Sequence, residues 1–101
     1  MPYLDIKRST RGNKKYMAIF YDHNKKKQKT IHFGANGYQD FTQHKDEFRK
    51  ERYLNRHRNE DWNNPMTAGS LSRWILWNIP DFDRSVRDFM RRFDYKPLIR
   101  S

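Results

Sequence analysis

The chain has no cysteine, which removes disulfides, thiolate metal sites and cysteine nucleophiles from consideration. It has no run of about 18 apolar residues able to span a bilayer. Nor is there a short apolar segment after Met1 that reads as a signal peptide. A soluble protein that is not secreted by that route, and that does not enter a membrane, is expected. Internal repeats and low-complexity tracts are also missing. So are two phosphate-binding signatures: FGANGY is not followed by Gly-Lys-Ser/Thr, and no dinucleotide fingerprint occurs.

Negative charge is scarce as well. Twelve acids face 22 Lys or Arg, giving a formal net charge of +10 and a pI near 10.1. A surplus of that size on a small chain creates a field that attracts polyanions. It is unevenly placed. Residues 1–34 carry nine Lys or Arg against two acids, residues 35–66 six against six, and residues 67–101 seven against four. The excess belongs mainly to the N-terminal third.

A length of 101 residues permits one domain with a modest core. Hydrophobic residues make up only 35%, but aromatics reach 16%, so the core must rest on a few large rings such as Trp62, Trp74, Trp77, Phe82, Phe89 and Phe93. Residues 1–101 are expected to form one small basic domain, with residues 1–12 as a basic arm. Within that arm LDIKR, residues 4–8, is a candidate third strand.

KKYMAIFYD and KTIHF read as two strands of a hairpin. The first puts Tyr16, Ala18 and Phe20 on one face and Met17, Ile19 and Tyr21 on the other. Between them, DHNKKKQ is a polar turn. Lys25, Lys26, Lys27 and Lys29 therefore cluster at or beside the hairpin tip. They serve either to keep a sheet edge soluble or to reach a phosphate backbone; KKQK also fits the loose basic pattern of a nuclear-import signal. FGANGY reads as a structural turn in which Gly34 and Gly37 take positive φ.

A helix is expected from about Thr42 to His57, capped by Asp40 or Thr42. Along it Lys45, Arg49, Arg52 and Arg56 recur at i, i+4, i+7 and i+11, a basic stripe about 16 Å long. Such a stripe can follow several phosphates. A solvated or ion-paired face is the alternative, with Asp46 pairing Lys50 or Arg49. His44, Asp46, Glu47, Glu51 and His57 could in principle serve acid–base or metal chemistry. Their spacing opposes it, because no His-Glu-x-x-His pattern places two imidazoles one turn apart. No catalytic residue, metal ligand or cofactor is expected.

The remainder reads as helical. Thr67 caps a helix to about Asn78 with Leu71, Trp74 and Ile75 on one side. Asn64-Pro65 marks the turn before it, with Trp62 as an anchor. A second helix opens at Pro80 or Asp81 and carries Phe82, Val86, Phe89, Met90 and Phe93 as an amphipathic face. Asp81 and Asp83 suit its start and Arg91 and Arg92 its end. The fold expected is α+β, an N-terminal hairpin of two to three strands packed with about three helices.

Three segments carry a resemblance: KKYMAIFYD, then FGA-x-GY-x-D-F-T-x-HKD, then W-N-x-P-x-TAG-x-x-SRW-x-LWN-x-P. Across residues 14–93 the chain resembles a family of short uncharacterised proteins encoded by large nucleocytoplasmic double-stranded DNA viruses. Phe41 fills the aromatic slot of the second segment, and Ser70-Leu71 follow TAG where the family has a bulkier aromatic pair. The resemblance brings no activity with it. It implies a viral protein, acting in the cytoplasm or nucleus of an infected cell or inside the virion. A Lys-rich hairpin followed by a helix is also similar, in architecture alone, to small archaeal chromosomal proteins that bend DNA.

The function expected from these readings is non-enzymatic binding of nucleic acid, DNA before RNA, with low sequence specificity. The phosphate contacts would come from Lys25, Lys26, Lys27, Lys29, Lys45, Arg49, Arg52 and Arg56. A structural protein contacting viral or host partners is the first alternative, and a small metal-dependent nuclease the second.

Overall fold

The backbone N–H and C=O groups of a central strand need hydrogen-bonded neighbours on both edges, and Lys14–Tyr21 has them. In the computed structural model, which describes residues 1–98, β2 (Lys14–Tyr21) pairs antiparallel with β1 (Tyr3–Arg8) and with β3 (Lys27–Ala35). Residues 3–8 are thus a strand of the sheet, as the third-strand reading of LDIKR within the basic arm required. A fourth strand, β4 (Lys96–Pro97), pairs parallel with β1 to give the order β3-β2-β1-β4. The single-domain expectation reaches over residues 99–101, which lie outside the described residues.

Register sets the face. Tyr16 stands opposite Phe33 and Ala18 opposite Ile31, while Leu4 stands opposite Phe20 and Ile6 opposite Ala18. With side chains alternating across the strand, these residues share one side of the sheet. Leu4, Ala18, Phe20 and Phe33 are fully buried there against Leu71, Ile75, Leu76 and Phe89. Full burial of a side chain of this size contributes roughly 1.5–3 kcal/mol each.

The covering layer is helical. After α1 (Phe41–His44) and α2 (Glu47–Arg56) come α3 (Ala68–Leu71), a π-helical turn at Ser72–Leu76, and α4 (Phe82–Arg92). The fold is α+β. Its caps follow from local chemistry. Asp40, Thr67 and Asp81 accept from backbone N–H groups at the starts of α1, α3 and α4. In α1, Gln43 returns the bond to the Asp40 N–H, completing a capping box. On α4, Phe82 stacks on Tyr16 at 4.5 Å and Phe89 tilts against Phe93 at 4.8 Å.

Two expected helices differ in outline. The segment 42–57 is broken, because Lys45 turns left-handed (φ 57°) and Asp46 caps a new helix through bonds from the N–H groups of Phe48 and Arg49. Asp46 therefore serves as a cap and not as an ion partner of Lys50. The segment 67–78 is α-helical only to Leu71; in the π turn that follows, the N–H of Trp77 reaches back five residues to the carbonyl of Ser72. The wider turn carries more residues per turn than an α-helix, which swings Leu76 toward the side of Leu71, and both enter the core.

Gly34 and Gly37 both take positive φ, +80° and +91°, as the FGANGY reading required. Their surroundings differ. A β-carbon on Gly34 would meet Leu76 Cδ1 at 2.8 Å, whereas Gly37 faces open space. Gly37→Ala should thus lose about 1 kcal/mol from conformation alone. Gly34→Ala should lose clearly more, about 2 kcal/mol or above, because strain and overlap add. Urea unfolding of the two variants checks this, and equal losses would contradict the close approach at Leu76.

Candidate nucleic-acid interface

Helix α2 is almost entirely polar. Its one buried side chain is Tyr53, and that ring lies flat on Trp77, with centroids 4.4 Å apart and planes within 4°. His57 stacks on the other face of Tyr53 at 4.2 Å and is held through Nδ1 by the Glu60 carboxylate. The column continues past Trp77 to His44, at 5.3 Å. Lys50 adds a second tie: its ammonium donates to the carbonyl of Asn78 at 2.8 Å and sits 4.8 Å over the Phe41 ring.

Anchored this way, α2 stands off the base of the β2–β3 hairpin and leaves a cleft of about 1040 Å³. Lys14, Lys15, Gly34 and Ala35 form its sheet side, the turn Tyr38–Asp40 its lip, and α3 with the π turn its far wall. Arg49, Arg52 and Arg56, spaced i, i+3 and i+7 on α2, all line it. A smaller hollow of about 320 Å³, lined by Arg8 and Arg11 among others, shares Lys14 and Lys15 with the cleft.

The cations here are not equivalent. Lys15 is neutralised internally, donating to Asp40 at 2.8 Å and to Gln43 Oε1 at 2.7 Å with little solvent contact. Arg49 reaches only the neutral Gln39, at 3.5 Å. Among the described residues no carboxylate lies in ion-pair range of Lys14, Arg49, Arg52 or Arg56. The ion-paired reading of the stripe, with acids of α2 as partners, therefore has no bonds to support it.

The eight cations expected to act together fall into separate places. Lys45 has left the helical stripe at the break before α2. Lys25, Lys26, Lys27 and Lys29 stand at the far end of the hairpin, about 23 Å along β2 from Lys14. Lys25 lies 5.4 Å over the Tyr3 ring. The turn beneath is closed by Asp22, whose carboxylate accepts from the N–H groups of Lys26 and Asn24. Those bonds hold the Asp22 carboxyl below its ordinary range. Lys27 and Lys29 are exposed on β3, an edge strand of the sheet, where lysines discourage edge-to-edge pairing.

Lys14 and Tyr38 escaped the sequence reading. Lys14-Lys15 at the start of β2 was a usable signal, since the end of one strand must lie near whatever follows the end of its partner.

His32, His44 and His57 are engaged structurally. His44 Nδ1 accepts from the Asp46 N–H at 2.9 Å, and its Nε2 is buried without a partner. Burial first, then Arg49, pushes its pKa below the ordinary 6.5. Among the described residues, no three His, Asp or Glu side chains gather closely enough to hold a metal ion. No helix among them is long and apolar enough to cross a membrane.

A family model described as "Family of unknown function (DUF5754)" matches residues 4–57, more than half of the 101-residue chain. The chain belongs to that family. The match runs from β1 to the end of α2, so the arginine stripe, Lys14 and the Tyr38 turn lie within the family region, whereas Trp77 and α4 lie beyond it. No curated protein and no solved structure matches the chain.

Burial, with Glu60 nearby, pushes the Tyr53 hydroxyl up from 10 to about 12. Ionising Tyr53 is then harder in the folded protein than in the unfolded chain. Its contribution to stability is complete below pH 10 and is lost as pH rises toward 12. Thermal unfolding of the native protein should show this decline, and Tyr53→Phe should flatten it. Trp77→Ala should open α2 locally: amide exchange of Arg49–Arg56 should accelerate at least tenfold while the amides of β2 stay protected. Uniform acceleration would mean that the stack holds the whole fold and not α2 alone.

Proposed function

We propose that the protein binds nucleic acid through phosphate contacts, DNA before RNA, without catalysis and with little sequence specificity. The observation that carries this reading is the cleft wall of Lys14, Arg49, Arg52 and Arg56, four cations with no carboxylate in range among the described residues. Arginine presents a planar fork suited to phosphate oxygens. The net charge of +10 supplies long-range attraction to a polyanion. The hairpin lysines and Lys45 serve steering of long ligands and solubility of the edge.

The resemblance to short basic proteins of large double-stranded DNA viruses favours DNA as the ligand. It suits action in an infected cell or inside a virion. The non-enzymatic reading rests on the engagement of His44 and His57 as structural members of the ring column.

Fluorescence anisotropy with a labelled random oligonucleotide across a salt series tests the proposal. With four phosphates engaged, affinity should fall roughly a hundredfold between 50 and 200 mM salt. The triple Arg49→Gln, Arg52→Gln, Arg56→Gln variant should keep its Tm within a few degrees and lose most of its affinity. Replacing Lys25, Lys26, Lys27 and Lys29 by Gln should leave binding of a short oligonucleotide largely intact. No binding at low salt would sink the proposal and favour a protein that contacts acidic protein partners. Plasmid incubated with the protein and Mg²⁺ or Mn²⁺ should remain supercoiled; nicking abolished by His44→Ala would overturn the non-enzymatic reading.

A further inference from the structure

The cations of the proposed interface line a cleft, Lys14 and Arg49 half-buried and Arg52 and Arg56 exposed, and two aromatic rings beside them are bare. Of 16 aromatic residues, only Tyr38 and Phe48 are exposed, at 75% and 78%. The rest are at least partly covered. A chain that covers its other rings leaves bare the two that flank its arginine stripe. Tyr38 forms the lip of the cleft next to Gln39, the residue Arg49 touches. Phe48 lies one helical turn before Arg52 on the same side of α2.

Tyr38 is also held in place. Before it, the Asn36 side chain donates to the carbonyl of Gly12 at 2.9 Å and the Asn36 N–H to that of Asn13 at 3.1 Å. After it, Asp40 is buried as the cap of α1 and ion-paired to Lys15. The turn is fixed at both ends, with Gly37 at φ +91° between them. The ring projects into solvent from this fixed turn, so only its own side-chain rotation remains to be ordered when a partner stacks on it.

We infer that the cleft takes a single strand rather than a duplex, with an unpaired base on the Tyr38 ring and its flanking phosphates on Arg49 and Arg52. This inference rests on the nucleic-acid reading above. Two physical arguments separate it from duplex binding. A stacking platform is useful only to a base whose face is free, and duplex bases have theirs covered. A chain one strand thick that enters the cleft reaches all four cations, whereas a rigid duplex reaches only the exposed ones, Arg52 and Arg56. A cationic groove edged by rings is how proteins hold single strands without reading sequence. Both DNA and RNA offer that chemistry, and the two sources are separated by the test.

Three labelled probes of one mixed sequence, a 12-nucleotide single-stranded DNA, the same RNA and the 12-base-pair duplex, are titrated by anisotropy at fixed salt. At least one single strand should bind tenfold or more tighter than the duplex, and which one identifies the ligand. Tyr38→Ala should weaken single-strand binding about tenfold, leave the salt slope unchanged and leave Tm within a few degrees, since the ring is largely exposed. Tyr38→Phe should restore binding. Arg52→Gln should instead lower the salt slope by about 0.7. Equal or tighter duplex binding, or an unaltered affinity in Tyr38→Ala, overturns the single-strand inference and leaves phosphate binding standing. Failure of all three probes to bind removes both.

Discussion

The flat contact between Tyr53 and Trp77 is what the arrangement of this protein depends on. Helix α2 has little apolar surface with which to dock: Tyr53 is its one buried side chain, with Leu54 half-buried beside it. A helix of ten residues is marginal in isolation, so tertiary contact must hold it. The other half of the stack is placed by the π turn. Widening that turn brings Leu76 into the core and leaves Trp77 directed outward onto α2. At its approach to the π turn, Gly34 gives Leu76 the room a β-carbon would fill. Sheet, π turn, ring stack and arginine stripe thus form one line of support.

Basic residues divide into those the fold consumes and those it leaves available. Lys15 is spent on Asp40, and Lys50 on a carbonyl and the Phe41 ring. Arg73 lies over both Trp62 and Trp74, donates to the carbonyl of Trp77 at 3.0 Å, and shares Trp74 with Arg92. Burial, then the nearby Arg92 charge, draws the Arg73 pKa downward. The TAG segment is equally structural: Thr67 caps α3, Ser70 donates to the Asp61 carbonyl at 3.0 Å, and Gly69 leaves space for the Glu60 carboxylate. Much of the motif that stands out beyond α2 is therefore scaffold, whereas Arg52 and Arg56 of α2 stay exposed and without an ion partner among the described residues.

How much of this was legible follows from the range of each interaction. The hairpin strands, the face of Phe82, Val86 and Phe89, and the caps at Asp40, Thr67 and Asp81 were readable because period and capping act within a few residues. The break at Lys45 was readable only in hindsight: Asp46 fits a helix interior pair or a cap equally well, and capping prevailed. The π turn left no pattern, because nothing in SRWIL demands a widened turn until Leu76 must meet Leu71. Three of the eight cations expected at the interface, Arg49, Arg52 and Arg56, line the cleft, since helical spacing survives any tertiary arrangement. Lys14 and Tyr38 join them only through the hairpin, and no local spacing reports that.

The parallel pairing of β4 with β1 has a consequence for the order of assembly. Lys96 donates to the carbonyl of Pro2 and Leu98 to that of Leu4, closing a loop that contains nearly the whole chain. The β1–β2–β3 meander joins near neighbours and can form early, whereas loop-closure entropy makes the last strand a late arrival. Tyr95 then seats its ring edge-on against Phe20 at 5.4 Å, covering a core residue that the meander alone leaves open on that side. Until this happens the Tyr3–Leu4 end of β1 is a bare sheet margin, and the two-residue strand acts as the latch that covers it.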